Sequence, residues 1–118
     1  MGDPVVHFEI GCRDAGETAS YYRELFGWDT EEAGPATMIS TGSDAGIAGH
    51  ITALGHEPHE YVTVYVDVSN LEEKLAEVVR LGGTTVIPPN PVPGRGRFAW
   101  FADPAGNTIG LWETGRGT

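Results

Sequence analysis

The chain has 118 residues, of which 40% are hydrophobic, and a formal net charge of −10. This size fits one domain with a core of its own, and 17 acidic against 7 basic residues argue against nucleic acid or an anionic membrane surface as a partner. A single cysteine, Cys12, together with no basic-then-apolar leader and no long apolar run, predicts a cytoplasmic protein with no membrane span.

The first half of the chain reads as a strand, a helix and then further strands. Val5–Ile10 alternates in the pattern of a strand. Asp14 is placed to cap a helix, with Glu17 three residues later as in a capping box, and Gly27 supplies a left-handed stop. One stripe of this helix is predicted to pack against a sheet: Ala15, Ala19, Tyr22 and Phe26.

The second half repeats the order of the first. Tyr61–Val66 alternates again, and a second helix is expected to begin at Ser69 with Glu72 and to end at Gly82. Its buried side is predicted to carry Leu71, Leu75 and Val78.

This duplication predicts an α+β fold within one domain of residues 1–118. Its two strand–helix–strands modules would span about residues 4–55 and 60–114. Two such modules can form two half-cups of sheet that face each other around a binding space.

Strand alternation predicts which side chains enter that space. If Val6, Phe8 and Ile10 pack under the helices, then His7 and Glu9 face the other way. The same argument sends Val62, Val64 and Val66 to the core. The remaining side chains predicted to line the cup are polar or aromatic: His50, Thr52, Tyr61, Thr63, Tyr65 and Trp112. Such a lining is typical of a partly dry pocket for a small organic molecule.

These segments also carry a family resemblance. Val5–Ile10 followed by Tyr21–Trp28 resembles the first module of the vicinal oxygen chelate superfamily, which includes glyoxalase I, bleomycin-resistance proteins and extradiol dioxygenases. Phe101–Leu111, with its Asp-Pro-Ala-Gly-Asn turn, resembles the end of the second module. The resemblance implies a glyoxalase-like fold of two βαβββ modules that form a curved mixed sheet, and it implies a homodimer.

Metal-dependent members of this superfamily place one ligand on each of four strands. By resemblance, His7 occupies the first ligand position and His50 lies near the second. The second module departs from the pattern, because Tyr61 stands where a histidine is usual and Gly110 where a glutamate is usual. The set is therefore an incomplete metal site, with Glu9 or Glu113 as the candidate third ligand. No cofactor is expected, and a divalent metal is the alternative.

Two functions remain open from the sequence. In the first, the cup binds a small organic molecule without turnover, through His7, His50, Thr52, Tyr61, Thr63, Tyr65 and Trp112. In the second, the chain is a glyoxalase-like or dioxygenase-like enzyme, which uses a metal or uses His7 with Glu9 as a metal-free base. At the rim, Arg95 and Arg97 either clamp a ligand anion or belong to an ordinary turn.

Overall fold

The computed structural model of the chain describes residues 2–53 and 58–115. In chain order the elements are β1 (Val5–Gly11), α1 (Ala15–Phe26), β2 (Asp29–Ala33), β3 (Ala36–Ser40), β4 (Ala48–Thr52), β5 (Tyr61–Asp67), α2 (Leu71–Arg80), β6 (Thr84–Val92), β7 (Gly96–Ala102) and β8 (Thr108–Thr114). This order is two successive βαβββ modules. The α+β fold predicted from the duplicated sequence pattern is therefore confirmed.

The chain divides into two compact units. The first unit is Val6–Thr63, and its strands follow the order β2, β3, β4, β1, with β1 and β4 parallel and the other pairs antiparallel. The second unit starts at Val64 and includes the residues up to Val5. Its strands follow the order β5, β8, β7, β6, with β5 and β8 parallel. Both units thus use the same strand order.

Helix α1 begins and ends where its sequence predicts. The Asp14 carboxylate accepts a hydrogen bond from the backbone N–H of Glu17 at 2.9 Å, and Gly27 adopts a left-handed conformation with φ of 72°. Ala19 is buried, but the prediction that Phe26 packs against the sheet is wrong. Phe26 is the last residue of the helix, and it stacks on Tyr22 at the surface.

Helix α2 begins one residue later than predicted. Asn70, not Ser69, is the N-cap, and its side chain accepts a hydrogen bond from the N–H of Glu73. Asparagine and serine both cap well, so sequence did not separate the two positions. The end is as expected, because Gly82 follows the helix with φ of 102°. Neither of the described helices is long and apolar enough to cross a membrane.

Each unit has a hydrophobic core of its own under its helix. In the first unit the buried residues are Cys12, Ala19, Ile39 and Ile51, with Phe8 and Ile10 packed against them. In the second unit they are Val68, Leu71, Leu75, Ala99 and Leu111, with Val66 and Phe101. The prediction that Val62 joins a core is wrong, because its side chain is 73% exposed. Val62 lies near the start of β5, whereas the residues of this stretch that join the core under α2, Val66 and Val68, come later.

Candidate functional site

The pairing of two parallel strands assembles a polar cluster in the first unit. In β1, Phe8 and Ile10 pack on the core, so His7 and Glu9 between them point to the opposite face. The register of β1 with β4 places Glu9 directly beside His50. Paired residues of neighbouring strands share a face, so the carboxylate and the imidazole meet.

Three of these side chains form a continuous hydrogen-bonded chain. His50 Nε2 lies 3.2 Å from Glu9 Oε1, and His50 Nδ1 lies 2.7 Å from His7 Nε2. An ionised carboxylate only accepts, so Nε2 of His50 is the donor to Glu9. His50 Nδ1 then accepts a hydrogen bond from the N–H of His7 Nε2. His50 therefore connects His7 with Glu9.

Tyr61 completes the cluster from the start of β5. Its hydroxyl donates to Glu9 Oε2, so the two oxygens of this carboxylate accept from different partners. The Tyr61 ring lies against Gly11, where an added Cβ would come within 1.9 Å of the ring. Glycine at this position leaves room for the ring, and the ring directs the hydroxyl to Glu9. Glu9 is only 3% exposed, so its charge depends on these donors.

The surroundings change the acid–base properties of two members of the cluster. Burial lowers the pKa of His7 from 6.5 to about 4, His50 adds to the effect, and Glu9 opposes it. His7 is therefore a neutral imidazole at physiological pH. Burial, followed by the hydrogen bond to Glu9, raises the pKa of Tyr61 well above its ordinary value. The phenol keeps its proton and remains a donor.

The donor set does not fit a divalent metal ion in this arrangement. The two nitrogens of His50 point away from opposite sides of the ring, one towards His7 and the other towards Glu9. A single ion can bind only one of them, so it cannot take His7, His50 and Glu9 together. Across residues 2–53 and 58–115, no three His, Cys, Asp or Glu side chains are placed to hold a metal ion.

The second unit holds the other predicted aromatic residues. Tyr65 is buried, and its ring covers Gly110, where a Cβ would come within 2.5 Å of it. The Tyr65 hydroxyl accepts a hydrogen bond of 2.8 Å from Trp100 Nε1. Trp112 lies half-buried in β8, beside Phe98 of β7. Tyr65 is therefore built into the interior of this unit.

The remaining predicted site residues, Thr52 and Thr63, are buried. Thr52 is buried, and its hydroxyl donates to the carbonyl of Pro35 rather than to the polar cluster. Thr63 is also buried. The hydrogen bonds given above join His7, Glu9, His50 and Tyr61 into one cluster, which we call the polar cluster.

Glu113 and Arg97, considered from the sequence as a metal ligand and a rim cation, bind each other. Arg97 donates to Glu113 and, through two nitrogens, to Glu72. Glu113 also accepts from the N–H of Leu71 at the start of α2. Arg97 lowers the pKa of both glutamates. These residues connect β7 and β8 to helix α2, and the charge of Arg97 is paired with those of Glu72 and Glu113.

Trp100 is the residue that sequence reasoning missed. It lies opposite Gly110 in the pairing of β7 with β8, which opens space for Tyr65 between them. The only signal in the sequence was the spacing of Phe98 and Trp100, which places both on one face of β7. Nothing in the sequence alone gave the register that sets Trp100 beside a glycine.

The two βαβββ units define a class of protein. The family model of the glyoxalase/bleomycin resistance protein/dioxygenase superfamily matches residues 5–111. The chain belongs to this superfamily, as its motifs had predicted.

Individual relatives cover the chain well but are longer than it. The chain is 32% identical to the anthracycline biosynthesis protein DnrV of Streptomyces peucetius and 31% identical to DauV of Streptomyces sp. strain C5. Each match covers 92% of this chain and 46% of the relative, so the chain spans about half the length of these relatives. A methylmalonyl-CoA epimerase solved with methylmalonyl-CoA and ammonium is 16% identical, with a TM-score of 0.70 over 98% of this chain and 96% of its own. This likeness concerns the fold alone.

Proposed function

We propose that the chain binds a small, oxygen-bearing organic molecule at the polar cluster of His7, His50 and Tyr61, without a divalent metal. The observation that carries this proposal is the use of both nitrogens of His50. A metal site would need that ring to leave one of its partners. A hydrogen-bonding site keeps these bonds, because a ligand hydroxyl can be accepted by His7 and by the Tyr61 oxygen while Glu9 holds His50 and Tyr61 in place.

The charge state of the cluster indicates the kind of ligand. His7 is neutral, since its pKa is lowered to about 4, and its Nε2 proton is donated to His50, so its Nδ1 would accept from a ligand hydroxyl group rather than attract an anion. Glu9 contributes a buried carboxylate, and the chain as a whole carries −10. Neutral or cationic ligands are therefore favoured. Two relatives are named for anthracycline biosynthesis, which supports a planar, polyoxygenated ligand. Tyr65 and Trp112 lie in the second unit and stay predicted ligand contacts that this site does not use, and a cytoplasmic location remains part of the proposal.

The first experiment titrates the purified chain with a hydroxylated anthraquinone, a planar polyoxygenated probe, and follows binding by calorimetry. We expect one probe per chain and no chemical change in the probe. His7→Ala should weaken binding by at least about 1 kcal/mol. The exposed Glu32→Ala is the matched control and should bind as the parent chain does. Unchanged affinity in His7→Ala would place the site elsewhere.

A metal titration tests the other half of the proposal. We expect Mn²⁺, Fe²⁺, Ni²⁺ and Zn²⁺ to leave the thermal unfolding midpoint unchanged. One equivalent of tightly bound metal, lost in both His7→Ala and His50→Ala, would contradict a metal-free site and favour a metal-dependent enzyme. Metal binding would not decide whether His7 contacts the organic ligand, because the probe titration tests that contact separately.

A metal-free enzyme is the second candidate, and one observation favours it. The chain from His7 through His50 to Glu9 connects a surface-reaching imidazole to a buried carboxylate, which is an arrangement that can accept and pass on a proton. The low pKa of His7 makes it a weak base, so this candidate ranks below binding. Loss of a labelled proton from a bound probe, abolished in His7→Ala, would support it.

A further inference from the structure

The polar cluster lies at one end of a row of side chains that crosses the first unit. The register of β1 with β4 places Glu9 beside His50. The next two registers place Met38 of β3 beside His50, and Glu31 of β2 beside Met38. Residues paired in this way share a face of the sheet. The row therefore begins at a buried carboxylate, passes a half-buried thioether and ends at an exposed carboxylate on the edge strand.

Contacts on the opposite face show that this row points away from helix α1. Ile39, next to Met38 in β3, is buried in the core under the helix. Thr30, next to Glu31 in β2, accepts a hydrogen bond of 2.9 Å from Arg23 of α1. Side chains alternate along a strand, so Met38 and Glu31 lie on the face that carries the polar cluster.

Two carboxylates lie at the edge-strand end of this face. Asp29 comes two residues before Glu31 in β2, so its side chain takes the same side. Within residues 2–53 and 58–115, neither carboxylate makes an ion pair or a side-chain hydrogen bond. Other acidic residues of the chain are paired with arginines, as Glu60 and Glu72 are. Asp29 and Glu31 are both exposed, so their charges are open to a cation from solution.

The spacing of the strands sets the length of a ligand that would contact both ends of the row. Neighbouring strands lie about 4.8 Å apart, so the backbone of Glu31 is about 10 Å from that of His50 across the face. Met38 lies between them, and its flexible thioether side chain offers an adaptable apolar surface. A molecule that fits this row has a hydrogen-bonding group at one end, an apolar middle and a cation at the other end.

We propose that the ligand of the polar cluster is an elongated molecule with a basic amine, which lies along this row with a hydroxyl group at the polar cluster and its ammonium group at Glu31 and Asp29. This inference rests on the proposed function and adds the charge and the orientation of the ligand. The reverse orientation is disfavoured, because Glu9 is buried and its two oxygens already accept from His50 and Tyr61.

Two matched probes test this orientation: a hydroxyanthraquinone with an aminoalkyl side chain, and the same molecule with its amine acetylated. Calorimetric titration should show that the parent chain binds the amine about fivefold more tightly, and that added salt reduces this preference. Glu31→Gln should lower the preference to about twofold or less. Glu32→Gln is the control, because it removes the same charge from the other face of β2 and should keep the full preference.

A third variant separates this inference from the proposed function. His7→Ala should weaken both probes alike, because they share the hydroxyl end. If neither probe binds the parent chain, or if His7→Ala leaves both affinities unchanged, the proposed function fails and the inference fails with it. If His7→Ala weakens both probes but the parent chain binds them equally, or Glu31→Gln keeps the full preference, the inference alone is overturned.

Discussion

The two units solve the same packing problem with different chemistry. In the first, the ring of Tyr61 lies on Gly11 and its hydroxyl donates to the buried Glu9. In the second, the ring of Tyr65 lies on Gly110 and its hydroxyl accepts from the indole of Trp100. Both units place a tyrosine over a strand glycine, and the tyrosine hydroxyl is bonded to a carboxylate in the first unit and to an indole in the second.

This difference shows that one backbone arrangement can carry different side-chain hydrogen bonds. A glycine in a strand leaves the space of one side chain, and an aromatic ring from a neighbouring strand fills it in both units. The first unit then uses the hydroxyl to support a carboxylate and two imidazoles. The second uses it to accept from a buried tryptophan N–H, which stabilises the interior. The same backbone arrangement thus carries ionisable groups in one unit and a neutral hydrogen bond in the other.

Removing the carboxylate should break the first arrangement most severely. Glu9→Ala leaves the Tyr61 hydroxyl and a His50 N–H without their acceptor in a buried place, so we expect a loss of roughly 3 kcal/mol in the free energy of unfolding. Glu9→Gln keeps one acceptor oxygen and should lose less. Urea unfolding measures both. If Glu9→Ala lowers the free energy of unfolding no more than the exposed Glu31→Ala does, the cluster does not stabilise the fold.

Filling the glycine should break the second arrangement. In Gly110→Ala the new methyl group would meet the Tyr65 ring, which is buried and held by Trp100, so we expect a loss of about 2 kcal/mol. The control is Gly16→Ala, where only Asp14 Oδ1 lies within 4 Å, at 3.5 Å. That helical substitution should stabilise by about 0.5–1 kcal/mol. An unfolding midpoint that does not change in Gly110→Ala would mean that the ring moves freely.

Acidification should distinguish the two units through His7. Its pKa is lowered in the folded chain from 6.5 to about 4, so between these pH values the unfolded chain binds a proton that the folded chain does not. Stability from this group is present above pH 6.5 and is lost as the pH falls towards 4. His7→Gln should flatten that part of the curve of unfolding free energy against pH, whereas Tyr65→Phe should leave it as steep as before. An equal slope with and without His7 would contradict the assignment.

Local sequence signals predicted much of the fold. Asp14, Glu17 and Gly27 act within one helix, so their roles follow from neighbouring residues. Alternation also placed His7 and Glu9 on one face, because that depends only on strand geometry. It failed at Val62, since alternation says which side a residue takes and not whether that side is covered there. The prediction that Phe26 packs against the sheet was wrong for the same reason, because the helix ends there.

The candidate site could be predicted in its members but not in its connections. The bond from Tyr61 to Glu9 joins residues 52 positions apart, and the bond from His50 to His7 joins residues 43 apart. Each depends on strand register, which periodicity does not give. The sequence suggested His7 and Glu9 as a pair, whereas His50 connects them. That connection is what weakens the metal hypothesis.

The smallest expected effect compares the two tyrosine hydroxyls directly. Tyr61→Phe removes a bond to a carboxylate and should cost about 1.5–2 kcal/mol, whereas Tyr65→Phe removes a neutral bond and should cost about 1 kcal/mol. Urea unfolding of both variants, repeated in a Glu9→Gln background, forms a double-mutant cycle. The Tyr61→Phe cost should shrink in that background, because its charged acceptor is gone, while the Tyr65→Phe cost stays the same. Equal costs in both backgrounds would mean that the Tyr61 hydroxyl gains nothing from the charge of Glu9, and the two units would then differ in geometry alone.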